Sequence, residues 1–317
     1  MAINNDKPKL WKADITKSVD FYNKWFMEFA PKAFRDTRIT TAKQVETALV
    51  HTDMLKDISV DILNKHPEVL PMLRMATCPP IARDRLTGLA GVPKNLVESM
   101  EKDSRIPPRM DLKTLSDNLT SIGNIIKKMA DPDIFVWFNR AIPATQDELD
   151  RAATIIADRL CGAVADPIIR NAQEERQLAA IEKWLSKHGY KKAIKDNKFD
   201  DMEPGTFSFH TNVPVTNPDG GKVNVSVDIV ILPKFAKHGG FPVLIEAKSA
   251  GDFTNVNKRR KEEAQKMTQF RSTYGDKVNY GLFLNGYFDS GYLGYEAAEG
   301  IDWVWEHRIE DLEQYGL

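Results

Sequence analysis

Three charged residues in the second half of the chain have the types and spacing needed for catalysis. Glu246 and Lys248 are two positions apart in the apolar segment 242–248, and Asp228 lies in the preceding apolar segment 223–232. Residues two apart in a β-strand point to the same face. Glu246 and Lys248 would therefore project side by side, and Asp228 would stand opposite them if the two strands pair.

Two carboxylates and one ammonium in this arrangement are suited to hydrolysis of a phosphodiester. Carboxylates are the hard oxygen ligands that Mg²⁺ takes, and the ion keeps positions for water and for substrate phosphate oxygens. Mg²⁺ polarises a phosphoryl oxygen and lowers the pKa of a bound water. A lysine beside that water orients or deprotonates it and neutralises charge on the phosphorus. A structural salt bridge at a strand end is the alternative interpretation of the trio.

The elements that must position these residues follow from the hydrophobic periodicity. Apolar residues predict four strands, and a long polar helix is predicted between the last two. The predicted strands are 206–215, 223–232, 242–248 and 278–285, and the predicted helix is 256–273. A helix that joins two strands indicates a parallel crossover. The predicted fold class is therefore α/β (α+β), with a mixed central sheet flanked by helices.

The first half of the chain is predicted to be helical. Apolar residues recur there at helical spacing, and prolines separate the segments. Thr145 followed by Glu148 is a capping-box pattern that predicts a helix start, and Asp166-Pro167 predicts a boundary. The expected domains are a helical domain at 1–165, with a role in DNA recognition, and a catalytic domain at 166–317.

The distribution of charge changes what the net charge says about a nucleic-acid partner. The 317 residues contain 44 Lys and Arg against 45 Asp and Glu, a formal net charge of −1. The segment 286–317 holds eight carboxylates and a single arginine, so the rest of the chain is basic. We expect this acidic segment to lie away from DNA phosphates or in a dimer contact.

The composition excludes several classes of protein. The chain is 42% hydrophobic and 28% charged, as folded globular proteins are. No run of 18 apolar residues predicts a membrane span, and the first residues do not form an apolar leader. Cys78 and Cys161 are far apart and form no CxxC motif. We therefore expect a cytoplasmic protein without a membrane partner, a disulfide framework or a zinc ribbon.

Asp228 is followed by Glu246-Ala247-Lys248, and the predicted order of elements around them is α-β-β-β-α-β. This pattern resembles the PD-(D/E)xK nuclease superfamily. Val227 stands where a proline often precedes the first aspartate. More narrowly, nearly the whole chain resembles the XamI-like type II restriction endonucleases. The stretches that carry this resemblance are LRMATCPPIARDRLTGLAGVPKNLVESMEKDSRIPP at 73–108, EAKSAGDFTNVNKRRKEEAQK at 246–266 and GYFDSGYLGYEAAEGIDWVWEHRIEDL at 286–312.

The resemblance implies a homodimer that cuts double-stranded DNA at a short palindrome, with Mg²⁺ as the cofactor. It also implies a cognate DNA methyltransferase in the same system and suggests GTCGAC as the target. By position, Asp228 and Glu246 match the metal ligands, and Lys248 matches the catalytic lysine. Related nucleases often add a glutamate from the helix before the sheet, and Glu175 is preferred to Glu182 for this role. For both glutamates, a solvated helix edge is the alternative.

Two segments are candidates for contact with DNA. The first is the basic run Lys258, Arg259, Arg260 and Lys261. This run follows the catalytic strand, where basic side chains can neutralise phosphates, and a solvated helix face is its alternative. The second segment, 81–107, has helix-turn-helix spacing that would present Lys94 and Asn95 to a major groove. An ordinary helical hairpin whose apolar residues form core is the alternative there.

Two other functions are open at this point. A repair or recombination nuclease with the same core would degrade DNA without producing discrete bands. A DNA-binding protein in which the trio is only a salt-bridge cluster would show no requirement for Mg²⁺.

Overall fold

The computed structural model describes residues 2–138, 140–193, 199–216, 220–236, 240–253 and 256–317, apart from the side chains of 256–259. The chain divides into two compact units. The helical unit is Ala30–Ile169, and the sheet unit combines Met1–Phe29 with Arg170–Leu317. The predicted division into 1–165 and 166–317 therefore differs from the structure mainly in the first 29 residues.

The N-terminal residues belong to the sheet unit because they bind its last strand. The carboxylate of Asp302 accepts hydrogen bonds from the backbone N–H of Ile3 at 2.5 Å and of Asn4 at 2.8 Å. The side chain of Asn4 donates to the carbonyl of Trp303 at 2.8 Å. A pairing between residues some 300 positions apart leaves no local sequence pattern, so the division predicted from the sequence placed these residues with the helices.

The described residues form nine α-helices and six strands. The helices are α1 (Pro8–His51), α2 (Val60–Lys65), α3 (Leu70–Met75), α4 (Arg83–Ala90), α5 (Lys94–Asp103), α6 (Leu112–Met129), α7 (Gln146–Lys187), α8 (Val256–Tyr274) and α9 (Ser290–Ala298). The strands are β1 (Lys191–Lys192), β2 (Thr206–Thr216), β3 (Lys222–Leu232), β4 (Val243–Ala250), β5 (Asn279–Gly286) and β6 (Asp302–Trp305). No helix within the described ranges is long and apolar enough to cross a membrane.

The predicted helix-turn-helix segment forms α4 and α5 in the helical unit. Gly91 ends α4 in the left-handed region, with φ +65°, which glycine adopts without strain. Most of the apolar residues of the hairpin are buried, as the core interpretation requires: Leu86, Val92, Leu96 and Val97. Leu89 is 45% exposed, so it does not belong to that core.

Helix α7 is longer than the sequence indicated. The capping box at its start is present, since Thr145 N donates to Glu148 Oε2 at 2.8 Å and Glu148 N donates to Thr145 Oγ1 at 3.3 Å. The boundary predicted at Asp166-Pro167 is not a helix end, because Pro167 lies inside the continuous helix. The two units nevertheless divide close to it, between Ile169 and Arg170. Proline removes one hydrogen bond from a helix, and the burial of apolar residues on either side of Pro167 opposes that loss.

A six-stranded mixed sheet forms the centre of the sheet unit, in the order β1-β2-β3-β4-β5-β6. Strands β2, β3 and β4 are antiparallel neighbours, whereas β4, β5 and β6 run parallel. The chain passes from β4 to β5 through α8, which confirms the predicted crossover. All four predicted strands are present, and β6 is a further short strand that contains Trp303 and Trp305.

Both faces of the sheet are covered by apolar packing. The α8 face is defined by the core residues Leu244, Leu282, Met267 and Phe270. The α7 face is defined by the core residues Ile245, Phe283, Ile181 and Leu185. Parallel strands are normally buried on both faces, and this packing fixes the position of α7 and α8 relative to the strand ends that carry the predicted catalytic residues.

The acidic segment 286–317 is largely built into the sheet unit. Glu306 is buried and forms an ion pair with Arg176 at 2.9 Å. Trp303 and Trp305 lie in the core on the α8 face. Several carboxylates of the segment therefore bind groups of the same unit instead of forming a free acidic surface.

Candidate active site

The three predicted catalytic residues lie together where β3 and β4 separate. The backbone pairing of the two strands ends at the residue next to Asp228. Beyond that point, Oδ2 of Asp228 accepts a hydrogen bond from the backbone N–H of Ala247 at 2.9 Å. Glu246 and Lys248 flank Ala247 in the sequence and lie on the α8 face. The structure thus brings Asp228, Glu246 and Lys248 together as the strand pattern predicts.

The alternation of side chains along β3 changes at Asp228. Val227 packs into the core of the α8 face, whereas Ile229 packs into the core of the α7 face. Strict alternation along a strand would place Val227 and Ile229 on one face, so the alternation is interrupted at Asp228. On the neighbouring strand, His210 has φ +48°, an uncommon value for a residue with a Cβ, and no ladder pair joins it to Asp228. Such local backbone irregularities often occur at functional sites.

Helix α8 adds two residues to the cluster that the sequence analysis did not select. Nζ of Lys248 lies 3.1 Å from Oε2 of Glu246 and 3.3 Å from Oε1 of Glu263. Nζ of Lys266 lies 2.7 Å from Oε1 of Glu246. Glu246 is 1% exposed and Glu263 is 0% exposed. Two buried carboxylates are therefore held by two ammonium groups.

Burial and neighbouring charges shift the pKa values of this cluster. Burial, together with the charge of Glu246, raises the pKa of Asp228 to about 6. Burial by itself would lower the pKa of Lys248, but the carboxylates of Glu263, Glu246 and Asp228 outweigh it and raise this pKa above its usual value. Lys248 is therefore an ammonium at neutral pH. Burial is also the main cause of the raised pKa of Glu263.

A glutamate of α7 also approaches Asp228, but it is not the predicted one. Carboxylate oxygens of Glu174 and Asp228 and a ring nitrogen of His210 lie within 4.8 Å of one another. Glu175 is exposed and is outside this group. Successive helical residues point about 100° apart, so only one of the two neighbouring glutamates can face β2 and β3. The glutamate of α7 that lies near Asp228 is therefore Glu174, and the predicted Glu175 lies outside this group.

The candidate donors fit a hard divalent cation. The ligand atoms of Asp228, Glu174 and His210 lie within 4.8 Å of one another, and the two carboxylates supply the oxygens that Mg²⁺ prefers. Glu246 is outside this group, and its two oxygens face Lys248 and Lys266. His210 would add a nitrogen ligand, which Mg²⁺ uses less readily than transition metals do. The donor set therefore matches Mg²⁺ through its carboxylates.

The predicted DNA-contacting residues of α8 differ in the surroundings of their side chains. Lys258 and Arg259 fall within α8, but their side chains lie outside the described residues. The guanidinium of Arg260 packs over the ring of Tyr295 at 4.5 Å, whereas Lys261 is exposed. Of the two residues of this run whose side chains are described, Lys261 is therefore available to a ligand, whereas Arg260 packs against α9.

The other predicted DNA-contacting residues lie at the start of α5 in the helical unit. Lys94 and Asn95 are both exposed there, and Nζ of Lys94 lies 3.8 Å from Oδ1 of Asp84 on α4. An exposed pair of this kind contributes little to stability, so it leaves the Lys94 ammonium accessible to a ligand.

Sequence reasoning missed Glu174, Glu263 and Lys266 because each lies on a helix with many charged residues. Glu263 and Lys266 are three positions apart, a spacing that places them on one face of α8. That spacing was the available signal, but it is equally typical of a solvated helix face. Only the packing of α8 on the sheet shows that this face is buried.

The chain was compared with known proteins. Residues 53–305 match the XamI restriction endonuclease family. The chain is 51% identical, over 316 residues, to the type II restriction enzyme SalI of Streptomyces albus G, with 99% of each chain covered.

Among solved structures, the protein VC1899 from Vibrio cholerae aligns with 80% of this chain at 10% identity and a TM-score of 0.28. The chain spans 55% of that protein, and a likeness this low carries no argument. The family match and the relative at 51% identity both cover most of the chain. The chain therefore belongs to the XamI restriction endonuclease family and is an enzyme of the type II site-specific endonuclease class.

Proposed function

We propose that this restriction endonuclease hydrolyses phosphodiester bonds of duplex DNA with Mg²⁺, using the cluster at the separated ends of β3 and β4. The observation that carries the proposal is the convergence of Asp228, Glu246 and Lys248, two carboxylates and one ammonium, at that point. Carboxylates are suited to binding Mg²⁺, and a neighbouring ammonium can stabilise negative charge on the phosphate, so this arrangement supports metal-assisted phosphodiester hydrolysis.

Each residue of the cluster has a role that its surroundings support. Asp228 and Glu246, with Glu174 from α7, would hold the ion. When bound, Mg²⁺ would supply an electrophile for the phosphoryl oxygen and acidify a water. Lys248 remains protonated between Glu246 and Glu263. It therefore orients the attacking water by donating to it and neutralises negative charge that develops on the phosphate, without accepting the proton.

Contacts with the DNA backbone would come from the start of α8. Lys258, Arg259 and Lys261 would neutralise phosphates beside the cluster, because they lie at or near the N-terminal end of the helix that follows the catalytic strand. Arg260 would contribute less, since its guanidinium already packs on Tyr295.

Base recognition would involve the helix-turn-helix hairpin of the helical unit. Lys94 and Asn95 are exposed at the start of α5, and the first residues of a recognition helix are those that reach base edges. Lysine donates to guanine and asparagine pairs with adenine. Both side chains thus have the chemistry to read a mixed sequence.

A palindromic DNA target has two-fold symmetry, and a protein with the same symmetry is suited to bind it. We propose that the enzyme acts as a homodimer, since symmetric half-sites are read by symmetric subunits, and that GTCGAC is the first site to test. A cognate DNA methyltransferase in the same system would protect host DNA. Cleavage of incoming DNA places the enzyme in the cytoplasm.

The proposal is tested with plasmid DNA that contains one GTCGAC site and a matched plasmid in which that site is changed. Wild-type protein with Mg²⁺ should give one discrete linear product from the first plasmid, and EDTA should abolish it. Asp228→Asn and Lys248→Ala should each reduce the cleavage rate by at least about 100-fold. Full activity of both variants would refute the assigned site. Discrete cleavage only at another sequence would refute GTCGAC alone, and a smear would indicate a nonspecific nuclease.

A further inference from the structure

We propose that Glu263 is a positioning residue for Lys248, holding its ammonium in place beside the reacting phosphate. This inference rests on the proposed function, because it takes Lys248 as the catalytic lysine. The Nζ atom of Lys248 lies 3.3 Å from Oε1 of Glu263, and this carboxylate is completely buried. Among the described residues, the ion pairs of Lys248 are with Glu246 and Glu263.

The carboxylate of Glu263 is itself held in place by a residue of the sheet. Its Oε2 atom accepts a hydrogen bond from the hydroxyl of Tyr280 on β5 at 3.1 Å. Tyr280 is 3% exposed, and its ring contacts that of Phe270 on α8 at a centroid distance of 5.4 Å. The carboxylate of Glu263 therefore has a defined orientation, with one oxygen directed at the tyrosine and the other at Lys248.

The two carboxylates that contact Lys248 differ in their other contacts and in their proposed roles. Glu246 is also a proposed metal ligand, and its other oxygen contacts Lys266 at 2.7 Å. A divalent ion at Glu246 would compete with both ammonium groups for its oxygens. Glu263 is shielded from solvent and contacts Lys248 independently of Glu246. It can thus retain the lysine when Glu246 binds the ion. A flexible four-carbon side chain needs such an anchor to be preorganised.

A merely structural ion pair is the competing explanation, and a matched control separates the two. Glu296 on α9 is also completely buried, and the charge of Glu263 contributes to raising its pKa. Among the described residues, it forms no ion pair with Lys248 within 4.0 Å. Glu296→Gln therefore removes a carboxylate of equal burial without touching the lysine.

The experiment uses the full-length protein and a duplex that the wild type cleaves. Single-turnover cleavage with Mg²⁺, affinity for the same duplex with Ca²⁺, and thermal unfolding are measured for each variant. Glu263→Gln should slow cleavage by about 10–100-fold, as loss of a supporting contact typically does, with DNA affinity within about twofold of wild type. Tyr280→Phe should reduce the cleavage rate less than Glu263→Gln does, and Glu263→Asp should give a reduction between those two. Glu296→Gln should cleave at a rate near that of wild type.

The outcomes distinguish this inference from the proposed function. If folded Glu263→Gln or folded Tyr280→Phe cleaves as fast as wild type while Lys248→Ala is inactive, the positioning role is wrong and the proposed function stands. If Lys248→Ala also cleaves normally, the proposed function itself is wrong. A rate that falls only as the folded fraction falls, or an equal loss in Glu296→Gln, would identify Glu263 as a structural residue. Should Glu263→Gln fail to fold, Tyr280→Phe alone decides.

Discussion

The ammonium of Lys266 lies 2.7 Å from Oε1 of Glu246, one of the proposed metal ligands. Lys266 lies on α8, and its Nζ also donates to the backbone carbonyl of Ser226 on β3 at 3.0 Å. The other oxygen of Glu246 faces Lys248. Each oxygen of this buried carboxylate therefore faces a lysine ammonium.

Replacing Lys266 should make the metal-free protein less stable and its response to Mg²⁺ larger. Lys266→Met leaves one oxygen of buried Glu246 without its partner, which costs about 1–3 kcal/mol. It also removes a cation that competes with the metal, so added Mg²⁺ should raise the melting temperature more than in wild type. Differential scanning calorimetry with EDTA and with increasing Mg²⁺ measures both effects.

The control for this variant is Lys261→Met on the exposed side of the same helix. It should change stability by less than about 0.5 kcal/mol, as exposed substitutions usually do. If Lys266→Met showed the same melting temperatures as this control at every Mg²⁺ concentration, the ion pair with Glu246 would contribute nothing to stability or to metal competition.

The two adjacent glutamates of α7 should differ in their effect on metal dependence. Glu174 lies within 4.8 Å of the ligand atoms of Asp228 and His210, whereas Glu175 is exposed outside this group. We expect Glu174→Gln to raise the Mg²⁺ concentration for half-maximal cleavage by about tenfold. Glu175→Gln should leave it unchanged. A larger effect of Glu175→Gln would restore the assignment made from the sequence.

Glu296 should make stability depend on pH in the neutral range. Burial raises its pKa to about 8, with a smaller contribution from the charge of Glu263. Because the folded protein holds a proton that the unfolded chain releases near its usual pKa, stability should fall as pH rises between about 4.5 and 8, by up to about 1.4 kcal/mol per unit. Glu296→Gln should remove the contribution of this residue and leave that of Asp228, whose pKa is also raised.

Urea unfolding of wild type and Glu296→Gln at pH 4.5, 6 and 8, without metal, measures the effect of Glu296. The variant should gain stability over wild type as pH rises, and the two proteins should differ least at pH 4.5. A constant difference between them across this range would show that Glu296 does not titrate there.

Lys261, which is exposed near the start of α8, should contribute to DNA affinity without contributing to sequence specificity. Lys261→Ala removes one proposed phosphate contact, so the dependence of log K on log salt should become shallower by about one unit. The loss of DNA affinity should be equal for duplexes with GTCGAC and for unrelated duplexes. Fluorescence anisotropy with Ca²⁺ measures both affinities. A loss confined to one sequence would instead indicate contact with bases.

The sequence by itself determined the strands, the crossover helix and the three central residues of the site. Alternation in short apolar segments predicts β3 and β4, and the spacing of Glu246 and Lys248 places them on one face of a strand. These features are local, so no knowledge of distant contacts is needed. The family also follows from the sequence, since motifs along most of the chain carry it.

Only the tertiary structure decided which helical carboxylates and lysines join the site. Glu263 and Lys266 are charged residues on a polar helix until α8 packs on the sheet, and the choice between Glu174 and Glu175 depends on the rotation of α7. The assignment of residues 1–29 to the sheet unit likewise depends on contacts with β6. Helix rotation and long-range pairing are set by the burial of whole faces, which short-range sequence patterns do not encode.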